Sequence, residues 1–167
     1  MRIGHGYDVH QLIAGQGIVL GGVQIPCAYQ LIAHSDGDVV IHALCDALLG
    51  AAALGDIGQH FPDDHVSSKD RNSMTFLQAI FALIKEAGYC IGNADISIIA
   101  QVPKLKIYLD AMQKNIAACL ETESRNINLK ATTNEGLGFI GRKEGIAVHA
   151  VVLLAKNNNE GEKSCGS

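Results

Sequence analysis

Residues 38–54 read Asp-Val-Val-Ile-His-Ala-Leu-Cys-Asp-Ala-Leu-Leu-Gly-Ala-Ala-Ala-Leu. The run is rich in Ala and Leu and predicts a helix buried on most sides. Its polar residues Asp38, His42 and Asp46 recur at i, i+4 and i+8, so they form one stripe on an otherwise apolar helix. The rest of the chain must therefore cover this helix, and a polar stripe inside such a cover needs partners.

The cover is expected from the flanking segments. Met1 to His10 reads as a strand, with Gly6, Asp8 and His10 on one face. Gly17 to Ile25 reads as two short strands about a Gly21-Gly22 turn. Helices are expected from Asp70 to Ala87, with Gly88 as the stop, and from Lys106 to Leu120. Strands are expected at 95–100, 126–132 and 145–155. This mixture predicts an α/β chain of the two-layer α+β kind: one mixed β-sheet with helices on one face. Residues 1–156 form one domain in this reading, and 157–167 form a disordered polar tail.

Asp8 and His10 lie two apart on a strand and point the same way. His42 supplies a third donor from the buried helix. Three protein ligands with one position left open describe a working metal site rather than a structural one. The mixed nitrogen and oxygen set suits zinc without excluding other divalent ions. Asp46, one turn on, either orients the His42 ring or pairs with a backbone group.

The run 131–142, Ala-Thr-Thr-Asn-Glu-Gly-Leu-Gly-Phe-Ile-Gly-Arg, follows a strand. Its backbone N–H groups suit phosphate oxygens, Glu135 suits a hard cation such as magnesium, and Arg142 suits a bidentate phosphate grip. The same composition also describes an ordinary glycine-rich turn with a solvated arginine. Ala100 to Lys106 ends a strand and opens a helix, a natural place for an anion, with Lys104 as a point charge or a solvated lysine.

Net charge is −4 and the pI about 5.9, so nucleic-acid and anionic-membrane binding are not expected. No apolar run reaches membrane-spanning length. The N-terminus lacks a secretory apolar stretch, so the expected place is the cytoplasm. The five cysteines, without a C-x-x-C, are expected to be reduced thiols. Charged residues make up only 18 %, which points to apolar surface buried between subunits.

Several long segments resemble one known family in the right order. They are 2–10, 34–38 with His42, 46–58, 61–63, 99–104, and 130–133 through Gly141-Arg142. The chain resembles the 2-C-methyl-D-erythritol 2,4-cyclodiphosphate synthases, the cyclising enzymes of the non-mevalonate isoprenoid pathway. The resemblance implies a homotrimer with active sites between adjacent subunits. It makes Asp8, His10 and His42 ligands of Zn2+, and Glu135 the holder of Mg2+ or Mn2+. It makes His34 and Thr133 stabilisers of the transition state, with Ser35 beside His34. Asp56, Ile57, Gly58, Phe61, Pro62, Asp63, Asp64 and His65 would surround the methylerythritol phosphate. Ala100, Gln101, Val102, Pro103, Lys104, Leu105, Lys106, Thr132 and Thr133 would form the cytidine diphosphate pocket. Asn134 falls within that site, and Phe139 and Arg142 would touch substrate. An isoprenoid phosphate in a central channel is a further implied partner.

The chain departs from the family pattern at Asp64-His65, where Thr-Asp is common, and at Asn134 and Gly136, where Thr and Lys are frequent. A metal-dependent phosphohydrolase and a non-catalytic binding module for nucleotides or isoprenoid phosphates also fit the bare residues.

Overall fold

The computed structural model describes residues 1–33, 35–61 and 72–157. Strand β1 (Arg2–Ala14) is followed by β2 (Ile18–Leu20), β3 (Val23–Ile25) and β4 (Tyr29–Leu31). Then come α1 (Val39–Ala52), α2 (Ile57–His60), α3 (Ser73–Glu86), β5 (Tyr89–Ile99) and α4 (Leu109–Cys119). The described chain finishes with β6 (Ile127–Thr132), α5 (Gly138–Gly141) and β7 (Gly145–Lys156).

The larger sheet has the order β4-β1-β7-β5-β6, and only β5 and β6 run parallel. The expected mixed sheet is therefore present, and β2 with β3 forms a separate hairpin about Gly21-Gly22. Helices cover one face. Toward them point Ile146, Val148, Ala150, Val152 and Leu154 of β7, with Ala94, Ile96 and Ile98 of β5, all buried. The other face carries Ile3, Tyr7, Val9 and Val151, which are exposed, Ile3 by 73 %.

Helix α1 is sealed as its composition predicts: Val39, Val40, Ile41, Leu44, Leu48 and Leu49 have no solvent exposure. Each such side chain contributes about 1.5–3 kcal/mol relative to an exposed one. The helix lies almost on the backbone of β1. A Cβ at Gly4 would come within 1.9 Å of the Ala47 carbonyl oxygen, and one at Gly6 within 1.9 Å of that of Ala43. Only glycine fits at either place. The same strand face continues into Asp8 and His10, so the contact that seats the helix also aligns these side chains with α1.

Some boundaries differ from the sequence reading. β1 runs on to Ala14 because β4, not expected from the sequence, pairs with Leu12, Ile13 and Ala14. β5 starts at Tyr89, six residues early, because β7 supplies a partner through the irregularity between Ile91 and Asn93. α4 starts at Leu109 rather than Lys106, and α2 adds a single turn that the sequence reading did not include. Cys27, Cys45 and Cys119 are free thiols, as expected. Of the expected tail, residues 158–167 lie outside the described residues.

Gly6→Ala should cost at least the ~1–3 kcal/mol typical of overpacking, because the clash is with backbone. Urea unfolding measures this; an unchanged midpoint would contradict the close seating of α1 on β1.

Candidate metal centre

Helix α1 begins where it does because Asp38 is its N-cap. Asp38 Oδ1 accepts from the N–H groups of Val40 and Ile41 at 3.2 Å and of Gly21 at 2.9 Å, and Oδ2 accepts from Gly22 N–H at 2.7 Å. One buried carboxylate thus ties the helix start to the β2–β3 turn. Burial pushes this carboxyl up to about 6, against the backbone donors that favour its ionised form. His42, one turn into α1, is held in place by this joint.

Asp8 Oδ2 lies 3.0 Å from His10 Nε2 and 3.3 Å from His42 Nδ1. The two imidazole nitrogens stand 3.4 Å apart. Three donors bound to one tetrahedral ion at about 2.0–2.2 Å would be roughly 3.3 Å apart, so the triad already has the required spacing. The outward nitrogens are committed elsewhere. His10 Nδ1 is 3.1 Å from the Gly37 carbonyl, which needs an N–H donor. His42 Nε2 faces Ser73 Oγ at 3.0 Å and Ser35 Oγ at 3.3 Å. In the neutral His10 ring the inward nitrogen then carries a lone pair, and that of His42 does too when its Nε2 proton is given to a serine hydroxyl.

Asp8 Oδ2 is buried and has no hydrogen-bond partner. An orphaned carboxylate oxygen facing two lone pairs is costly unless a cation or a proton joins them. Burial alone would raise the Asp8 carboxyl, but His10 and His42 outweigh it and hold it well below the usual range. Burial alone would lower the His10 imidazole, and Asp8 outweighs that and raises it. The donor set and its geometry fit a divalent transition ion.

Asp46 does not orient His42. Its Oδ1 accepts the Ile57 N–H at 2.8 Å and so fixes the start of α2, the backbone alternative left open by the sequence. Asp56 caps the same turn through Gln59. Ile57 and Gly58 lie within it, and Phe61 follows and packs against Phe76, ring centroids 4.8 Å apart. His34, Pro62, Asp63, Asp64 and His65 lie outside the described residues.

The two loops expected to hold cytidine diphosphate are neighbours. Ile99 and Thr132 pair at the ends of the parallel strands β5 and β6, and Ala100 N–H donates to the Thr132 carbonyl at 3.0 Å. Ala100–Lys106 and Thr132–Glu135 therefore leave one edge of the sheet together. Strand ends at such an edge are common ligand sites. Within this edge Ala100 and Leu105 are buried, and Lys104 and Lys106 are exposed. Glu135 adopts a left-handed backbone with φ 49°, its carboxylate accepting from Thr133 Oγ1 at 2.9 Å. Gly136 N–H points to Gln101 Oε1 at 3.4 Å, joining the loops. Asn134 Nδ2 spans the turn to the Leu137 carbonyl. Phe139 sits in α5 and is partly exposed, while Arg142 pairs bidentately with Glu144 instead of standing free.

Asp8 and the strand that leads to Glu135 stand at opposite ends of the sheet row. Asp8, Val148, Ile98 and Ala131 form one row across β1, β7, β5 and β6. Three strand spacings separate the ends of that row, roughly 14 Å. No hydrogen bond or ion pair among the described residues joins Glu135 to the triad.

Residues 1–155 match the YgbB family. The chain belongs to this family. Its relatives include a 2-C-methyl-D-erythritol 2,4-cyclodiphosphate synthase of Vibrio vulnificus strain YJ016, 59 % identical over 157 residues, spanning 93 % of this chain and 99 % of that protein. Among solved structures, a bifunctional IspDF from Campylobacter jejuni superposes with TM-score 0.89 at 49 % identity; the match covers 93 % of this chain and 42 % of that one. A Plasmodium falciparum IspF in complex with CDP gives TM-score 0.84 at 39 % identity, covering 94 % and 97 % of the two chains. The YgbB match spans every element from β1 into β7, including the metal triad and both loops at the sheet edge.

Ser73 is a neighbour of His42 that the sequence does not announce, and Asp36 stands behind Ser73. Asn72-Ser73 at a helix start reads only as a cap, and nothing local links it to residue 42.

His42→Ala should abolish high-affinity binding of a transition ion while leaving the fold intact, read by elemental analysis and circular dichroism. Undiminished metal content would remove His42 from the ligand set. Because Asp8 raises the His10 imidazole, protons should compete with the ion from above the ordinary histidine value of about 6.5. Chelator competition between pH 8 and 6 should therefore show affinity falling with acidification; a flat profile contradicts this coupling.

Proposed function

We propose that this protein converts 4-diphosphocytidyl-2-C-methyl-D-erythritol 2-phosphate into 2-C-methyl-D-erythritol 2,4-cyclodiphosphate and CMP. The observation that carries the reading is the convergent Asp8, His10 and His42 donor set, in a chain 59 % identical to a protein of that name. An oxygen of the 2-phosphate attacks the β-phosphorus, the bond from that phosphorus to the bridging oxygen breaks, and CMP leaves with the electron pair. The attacking oxygen is already anionic, so no general base is needed. The chemical problem is bringing anions together and holding them in line.

Asp8, His10 and His42 are the residues to hold Zn2+, and Glu135 is the residue to hold Mg2+ or Mn2+. Bound there, these ions supply positive charge that offsets the phosphates and the departing CMP. The protein groups do the positioning. Backbone N–H groups of Thr132 to Gly136 and of Ala100 to Lys106 orient the diphosphate, with the hydroxyl of Thr133 and the ammonium groups of Lys104 and Lys106 beside them. His34 stabilises the transition state together with Thr133, and Ser35 stands with it as a substrate contact. Asp56 to Gly58, Phe61 and the segment 62–65 receive the methylerythritol end, and Phe139, Asn134 and Arg142 complete the contacts. Residues 1–156 act as one catalytic domain.

The roughly 14 Å across one sheet supports a shared site. Groups that grip adjacent phosphates cannot stand three strands apart, whereas the triad of one protomer can meet the Glu135 loop of the next. The exposed face with Ile3, Tyr7, Val9 and Val151 is apolar enough to need covering, which supports a homotrimer packed sheet to sheet. The channel enclosed by three such faces is the place for an isoprenoid phosphate. The proposed place of this reaction is the cytoplasm. Among the described residues no helix is long and apolar enough to cross a membrane.

Incubation with the diphosphocytidyl substrate should yield the cyclic diphosphate and CMP, and a chelator should stop it; mass analysis reads both. A linear phosphate product would support hydrolysis instead. Glu135→Gln should raise the magnesium concentration needed for half-maximal rate by about tenfold or more, the effect of ~1.4 kcal/mol, with transition-ion content unchanged. A wild-type magnesium titration would remove that role from Glu135.

A further inference from the structure

We infer that Ser73 and Asp36 are positioning residues that fix the tautomer of His42 and so prepare its inward nitrogen for the metal. Ser73 is fully buried at the first turn of α3. Its hydroxyl donates to Asp36 Oδ1, and its N–H donates to Asp36 Oδ2 at 2.9 Å. Asp36 is itself steadied by the Asp38 N–H at 3.2 Å. A serine hydroxyl has one proton. Since Asp36 takes it, Ser73 Oγ can present only a lone pair to His42 Nε2, 3.0 Å away. His42 must then carry its proton on Nε2, and Nδ1 is bare toward Asp8 and His10.

The chain Nε2–H to Ser73 Oγ–H to Asp36 ends on a carboxylate, so it also makes the ring a stronger donor at Nδ1. Ser35 Oγ stands farther from the same nitrogen, at 3.3 Å, and accepts the Gly37 N–H. Asp46, the carboxylate nearest in sequence on the same helix stripe, is engaged by Ile57. The only route from a carboxylate to His42 Nε2 among the described residues therefore runs through Ser73. The link crosses from the start of α3 to the loop before α1, so the metal-facing nitrogen is set by an element that contributes no ligand.

The inference rests on the metal-centre reading for its purpose, but its test does not depend on turnover. Ser73→Ala removes the hydroxyl and leaves the helix cap, since Asn72 Oδ1 still accepts from the Met74 N–H. Asp36→Asn keeps the shape but lets the amide donate to Ser73 Oγ, which reverses the chain and turns the serine proton toward His42. Ser73→Thr restores the hydroxyl. Full-length metal-free protein would be examined by 15N–1H correlation of the histidine rings, then titrated with Zn2+ against a chelator. The wild type and Ser73→Thr should show His42 protonated at Nε2. Ser73→Ala should show mixed tautomers, Asp36→Asn should shift toward the Nδ1 proton, and both should bind Zn2+ about 10–100-fold more weakly. Wild-type tautomer and affinity within about twofold in both folded variants would overturn the proposal. If wild-type protein binds no Zn2+, the metal-centre reading fails, and the ring spectra alone decide the role of Ser73 and Asp36.

Discussion

Everything at the candidate centre depends on how closely α1 lies against β1. Gly4 and Gly6 leave no Cβ between the strand and the carbonyls of Ala47 and Ala43. The same strand face that disappears under the helix at Gly4 and Gly6 emerges as Asp8 and His10. The same helix that supplies the carbonyls presents His42. Two requirements meet in one contact: apolar burial of α1, which stabilises the fold, and convergence of three donor atoms, which serves chemistry.

That convergence is unfavourable without a positive charge. Asp8 Oδ2 faces two ring nitrogens whose outward partners leave them unprotonated on the inside. The fold offsets the cost through Asp38, whose four backbone hydrogen bonds fix the start of α1, and through Gly37 and Ser73, which hold the rings by their far nitrogens. The centre is therefore assembled by the loop before α1 and the start of α3 as much as by its ligands.

Much of this was legible in the residues. Asp8, His10 and His42 were readable because strand and helix periodicities are local: two apart on a strand and one stripe on a helix each name a face. The hairpin at Gly21-Gly22 and the two long helices were readable for the same reason. β4 was not, because three residues are too few to show a period, nor was the first half of β5, which an irregularity between Ile91 and Asn93 interrupts; both exist through the strands that pair with them. Asp46 stayed open between His42 and a backbone group because its partner, the Ile57 N–H, lies on a short turn that no local pattern marks. Ser73 was invisible as a neighbour of His42, since 31 residues separate it from the ring it touches, and so was Asp36 behind it.

The sequence by itself determined which side chains can act as ligands, which helix must be buried, and which family the chain resembles, since these depend on residue type, period and motif. Tertiary structure decided what those side chains face. It brought Asp8 Oδ2, His10 Nε2 and His42 Nδ1 within 3.4 Å of one another, and set two strands, β7 and β5, between Asp8 and the strand that leads to Glu135. The physical reason is that pairing order and helix seating are cooperative properties of the packed chain: which strand lies between two others is settled by burial of the whole sheet, not by any one segment.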